Sequence, residues 1–121
     1  MSDPGFLGLV RQHVRSVWTL ELLLLMRSQP DRLWRAEELV RELRASAALV
    51  ADSLGRLQAS GLVTSLHETF GFGPRTPELA RFCDQLEEFY RTSPVALINL
   101  IASESRVQGL ADAFKFKGDP K

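Results

Sequence analysis

Metal binding or covalent catalysis in this chain would have to begin from His13, His67 and Cys83, the two histidines and single cysteine among 121 residues. The histidines stand far apart with no His-Glu-x-x-His or similar ligand spacing, and one thiol with two scattered imidazoles falls short of a zinc donor set. Cys83 lies on the apolar stripe Leu79, Phe82, Cys83 and Leu86, which predicts a buried, inert thiol. His13 is expected at a helix surface or half-buried. The adjacent pairs Glu37-Glu38 and Glu87-Glu88 point in different directions on a helix, as solvated faces do. Phe70-Gly71-Phe72-Gly73-Pro74 lacks the lysine and the strand-to-helix context of a phosphate loop, and reads as turn and bulge glycines. No enzymatic activity, metal or cofactor is expected.

Binding is the other chemistry open to the chain. Lys+Arg and Asp+Glu are balanced at 15 each, so no global field draws it to nucleic acid or an anionic membrane, and any such affinity must come from a local patch. An apolar fraction of 45% and a charged fraction of 25% are those of an ordinary globular domain, long enough to sustain one core without disulfides. The lone cysteine favours a reducing compartment, and MSDPGFLGLVRQHVR lacks the basic start of a secretory signal, so the cytoplasm is expected. The longest apolar run, Leu22 to Met26, is far shorter than a membrane span, and no membrane partner is expected.

The elements that must position a binding patch are legible in outline. From about His13 to Ser28 apolar residues cover more than one face of a helix, which should sit deep in the fold. Arg32-Leu33-Trp34 suffices for a short strand or bridge. AEELVREL, Ala36 to Leu43, is a helix with two carboxylates in its first turn, where the macrodipole favours them. Arg44-Ala45 makes a turn, and Ser46 caps a helix running to about Ser60 with Val50, Leu54 and Leu57 inward. Gly61 stands where a left-handed C-terminal cap is expected. Leu62 to Leu66 and Phe70 to Gly73 form a short hairpin around His67-Glu68-Thr69. Thr76-Pro77 opens an amphipathic helix, PELARFCDQLEEFYR, and Ser93-Pro94 repeats the start signal for VALINLIAS. Ser103 or Ser105 is expected to cap a last helix through Phe114.

The order helix, short strand, helix, tight turn, helix, Gly-Leu-Val and hairpin, from about Val14 to Arg75, resembles the winged helix-turn-helix fold of bacterial transcription regulators. The residues carrying the likeness are LWRAEELVRELRASAALVADSLGRLQASGLV, with the ending Leu54, Leu57, Gly61, Leu62, Val63. The resemblance covers roughly half the chain. It implies a mainly α fold with a small β-hairpin, a winged helix-turn-helix followed by C-terminal helices: residues 1–12 an N-terminal extension, 13–75 the winged domain, and 76–121 a helical region that could dimerise. It also implies double-stranded DNA as partner. The helix from Ser46 to Ser60 would enter the major groove with Ser46, Ala47, Ala48, Ala51, Asp52, Gly55 and Arg56 toward the bases, while Arg35, Arg41, Arg44 and Arg75 would hold phosphates. Asp52 departs from what that role favours, because a carboxylate repels phosphate. The hairpin, with Glu68 against His67 and Arg75, is a poor basic wing.

In the C-terminal third, Val95, Leu97, Ile98, Leu100 and Ile101 place apolar surface on more than one side of a short helix, to meet the core or a second copy of the chain. A homodimer through these helices would join two weak half-site contacts. In the tail AFKFKGDPK, Phe114 and Phe116 are expected to dock while Lys115 and Lys117 stay in water. Two functions follow: a small DNA-binding transcription regulator, or a winged-helix protein-interaction module that does not bind DNA and takes a partner on the face 48–56, bordered by Leu49.

Overall fold

The computed structural model describes residues 4–102. It is mainly helical, with a small three-stranded antiparallel sheet. The elements are α1 (Pro4–His13), α2 (Val17–Ser28), β1 (Trp34–Arg35), α3 (Ala36–Leu43), α4 (Ala47–Ala59), β2 (Val63–Leu66), β3 (Thr69–Phe72) and α5 (Pro77–Thr92). A further helix, α6, covers residues 94–102. The caps expected at Ser103 or Ser105, the helix through Phe114 and the Phe-Lys tail lie outside the described residues. None of the described helices is long and apolar enough to cross a membrane.

Local signals set most of the boundaries. Ser16 Oγ accepts from the Thr19 N–H and starts α2, Ser46 Oγ accepts from Leu49 N–H and starts α4, and Thr76 Oγ1 accepts from Leu79 N–H ahead of Pro77 in α5. α4 ends in a Schellman motif: Gly61 at φ 81° donates to the Gln58 carbonyl, and Leu62 donates to the Leu57 carbonyl. The β2–β3 hairpin turns at His67, itself at φ 57°. β3 is the central strand, in the order β1-β3-β2, with Trp34 opposite Phe70 and Val63 opposite Phe72.

α2 is the floor of the core. Leu20, Leu22, Leu23 and Met26 are buried, and the buried Thr19 hydroxyl meets the Ser53 hydroxyl of α4 at 3.2 Å. Val50, Leu54 and Leu57 form the inner stripe of α4, as the periodicity predicts, with Ser53 beside them. α5 contributes Phe82, Cys83 and Leu86, and α6 contributes Leu97 and Ile101.

Two expectations at the N-terminal end are corrected. Of the stretch read as an N-terminal extension, the described residues from Pro4 onward pack with the fold: α1 begins at Pro4, and Phe6 and Val10 enter the core, Phe6 with ring centroids 5.7 Å from Phe82 and 5.9 Å from Phe89. Burial of this stripe outweighs the roughly 1 kcal/mol that each of Gly5 and Gly8 costs a helix. The helix expected from about His13 starts instead at Val17, because Ser16 takes the N-cap conformation and its hydroxyl bonds the Thr19 N–H more locally than a continuous helix allows.

His13 is also deeper than expected, at 8% exposure, with its ring 5.9 Å from Phe82 and its Nδ1 without a hydrogen-bond partner among the described residues. Burial holds its pKa below the usual histidine value. The unfolded chain, titrating near about 6.5, therefore takes up a proton before the native state does, and stability falls as pH drops below that value. Thermal melts from pH 7.5 to 5 should show it: the difference between wild type and His13→Leu stays level above about pH 7 and then moves against the wild type on acidification.

Candidate nucleic-acid interface

The exposed side of α4 is built from very small side chains. Its inner stripe is occupied by Val50, Ser53, Leu54 and Leu57, so Ala47, Ala48, Ala51, Asp52, Gly55 and Arg56 are all exposed, as is Ser46 at its cap. Gly55 has a helical backbone, and a Cβ built there meets nothing within 4 Å. The two charges on this side form one pair, with Arg56 Nε–H donating to Asp52 Oδ2 at 3.0 Å across one helical turn. The carboxylate that sets phosphate at a disadvantage thus has a guanidinium beside it.

The four arginines expected on phosphates fall into two pairs. Arg35, the N-cap of α3, gives its backbone N–H to Glu38 Oε1 at 2.9 Å. That bond, reinforced by the charges of Arg32, Arg41 and Arg35, holds the Glu38 carboxyl below the usual carboxylate range. Arg41 shares this surroundings on the outer side of α3. Both side chains are exposed, but they share their field with Glu38 and Glu37.

Arg44 and Arg75 lie at the two ends of α4. Arg44 terminates α3 in the left-handed conformation, φ 54° and ψ 39°, three residues before α4 begins. Arg75 follows the hairpin. Its backbone N–H donates to the Gly61 carbonyl at 2.7 Å, and its side chain lies against the Gly61 Cα, where an added Cβ would stand 3.2 Å from both Cβ and Nε of Arg75. Both are exposed, and among the described residues neither has an ion-pair partner.

Several relevant residues escape a reading of spacing alone. Arg32 lies 3.6 Å from the Trp34 ring centroid and pairs with Glu38 at 3.6 Å, a bracket between β1 and α3. Trp18 and Leu49, each 39% exposed, border a shallow apolar groove with Leu43 and Ala45, where α2, α3 and α4 meet. Trp18 had only its place in an apolar helix to mark it. On the far side, Arg27 joins Asp84 and Glu87 and ties α2 to α5, while Glu88 pairs with Arg91. The adjacent glutamates therefore serve two separate ion pairs. Burial pushes the Cys83 thiol up to about 12, which leaves it protonated and unreactive near neutral pH. His13 and His67 stand at the end of α1 and in the β2–β3 turn, and among the described residues no group of three or more His, Cys, Asp and Glu side chains gathers as a metal site. No protein-family model, no curated protein and no solved structure matches the chain.

Proposed function

We propose that this protein is a small winged helix-turn-helix regulator that binds double-stranded DNA, with α3 and α4 as the helix pair, α4 in the major groove and β2–β3 as the wing. The element order α2-β1-α3-α4-β2-β3 and the strand order β1-β3-β2 support the fold reading. One observation carries the functional reading: exposed arginines without acidic partners among the described residues bracket the small-residue face of α4, whose own two charges pair with each other, Arg44 before it and Arg75 after it. The 13 residues of α4 span ~20 Å at about 1.5 Å each. That separation suits cations on the two phosphate walls of a groove about 12 Å wide.

Arg44 adds a second reason. The left-handed region costs an L-residue about 1–2 kcal/mol, and glycine relieves it. An arginine kept at φ 54° accepts that cost, which is what a contact outside the fold would require. Opposed effects follow. Arg44→Gly should raise stability by about 0.5–1 kcal/mol while weakening binding to a random-sequence duplex. Its log Kd against log salt slope should fall by roughly 1, as should that of Arg75→Ala. The pair of measurements is a thermal melt and a salt titration by fluorescence anisotropy. An absence of binding at low salt, or slopes unchanged in both variants, overturns the reading.

The Trp18 and Leu49 side chains favour a second reading, a protein partner seated along the same helix. It would show as partner capture lost in Leu49→Asp by a chain that ignores DNA. Homodimerisation through the C-terminal helices belongs to the regulator reading. It rests on α6, where Leu97 and Ile101 are committed to the chain's own core and Val95 stays 69% exposed. Sedimentation of wild type against Val95→Asp tests it.

A further inference from the structure

Resting on the DNA-binding reading, we infer that Arg56 reads guanine in the major groove and that Asp52 is the positioning residue that sets its guanidinium plane. Asp52 takes the Nε–H of Arg56 at 3.0 Å, and among the described residues the guanidinium makes no other hydrogen bond. With the Nε–H occupied, both terminal NH2 groups remain side by side and without a hydrogen bond among the described residues. That end-on fork matches the O6 and N7 acceptors of guanine, the pairing for which arginine is best suited. A lone exposed arginine would sample many rotamers and lose that freedom on binding. Tethering one edge four residues back removes part of the loss beforehand.

The surrounding face fits this use. Ala48, Ala51 and Gly55 carry nothing beyond Cβ, so the backbone of α4 can approach the groove floor closely and Arg56 is the tallest polar group above it. Gly55 is the independent sign. Glycine in a helix interior is unfavourable relative to alanine, its backbone has no positive φ, and an added Cβ meets nothing within 4 Å. Nothing inside the fold asks for glycine here, whereas a base edge or sugar brought against the helix would. The pair is also neutral as a unit. Arg56 and Asp52 together add little to phosphate attraction, so their contribution falls on base discrimination, with general affinity left to Arg44 and Arg75.

The experiment is selection from a randomised duplex pool, followed by anisotropy titrations on the selected sequence and on its version with one G·C pair replaced by A·T. Wild type should select a fixed guanine, and the replacement should weaken binding about 5- to 100-fold. Arg56→Ala and Arg56→Lys should both lose the preference, and Arg56→Lys should keep the wild-type salt slope, separating the fork from the charge. Asp52→Asn keeps an oxygen acceptor for Nε and removes a charge that repels phosphate, so the guanine preference persists while overall affinity rises. Asp52→Ala raises overall affinity as well and loses most of the preference. Both positions are exposed, and a thermal melt confirms that each of the four variants folds. A guanine preference that survives Arg56→Ala, or that is equally intact in Asp52→Asn and Asp52→Ala, overturns the inference and leaves the DNA-binding reading standing. So does wild-type binding without base preference, and a wild type that binds no DNA overturns both.

Discussion

Phe82→Ala is expected to lower the unfolding free energy by about 3–5 kcal/mol and the melting temperature by roughly 10–20 °C. The side chain is 1% exposed and lies between α1 and the body of α5, with the Phe6 ring at 5.7 Å and the His13 ring at 5.9 Å. Removing it takes away both the transfer free energy of a phenyl ring and the tilted ring contacts, and leaves a void lined by Phe6, which also meets Phe89. The loss should therefore fall hardest on α1. Hydrogen exchange would show amides of α1 released from protection before those of α2 and α4. Urea denaturation gives the magnitude, and Leu66→Ala, at a hairpin residue 56% exposed, serves as control with a change within about 0.5 kcal/mol. A Phe82→Ala loss below about 1 kcal/mol would mean that the α1–α5 seam lies outside the cooperative core.

Gly61→Ala should cost about 1–3 kcal/mol from two separable sources. The first is backbone strain, since φ 81° belongs to glycine and any Cβ there is unfavourable. The second is steric: that Cβ would lie 3.2 Å from Cβ and Nε of Arg75 and 3.4 Å from its Cζ. The chain has little room to yield, because Gly61 is buried and tied by its own N–H to Gln58 and by its carbonyl to the Arg75 N–H. A double-mutant cycle with Arg75→Ala divides the two. The part caused by the guanidinium should disappear in the Arg75→Ala background, and the strain should remain. Gly61→Ala should also weaken DNA binding beyond its effect on stability, since it displaces the arginine proposed to hold a phosphate at that end of α4. Binding equal to wild type, in a variant that is fully folded at the assay temperature, would detach Arg75 from the site.

The elements around the candidate site were readable because their determinants are local. Ser46 and Thr76 each bond an N–H three residues on, Gly61 closes its helix over five residues, and α3 occupies Ala36–Leu43 as its leucine spacing predicts. The Asp52–Arg56 pair was legible in the same sense, being a spacing of four on one helix. Read as two separate charges, Asp52 stood among the base-facing residues as the one that repels phosphate; the 3.0 Å bond makes it a partner of Arg56. The first helix failed for the opposite reason. Gly5 and Gly8 speak locally against α1, and the favourable side of the balance is a stripe of contacts to α5, some 75 residues further along.

From amino-acid order alone, then, came what nearest neighbours along the chain can decide: where α3, α4 and α5 begin and end, which stripe of α4 turns inward, and that its outer face is small and nearly without charge. The fold alone decided what depends on distant segments meeting. It set β3 between β1 and β2, placed Arg32 over Trp34 and against Glu38, brought Arg75 onto Gly61, and left Arg44 and Arg75 at opposite ends of one helix. Capping and periodicity act over three to five residues, within one element, and they leave a unique local trace. Which exposed arginine faces which neighbour is a matter of packing between elements, and many arrangements share the same local signals until one core fills.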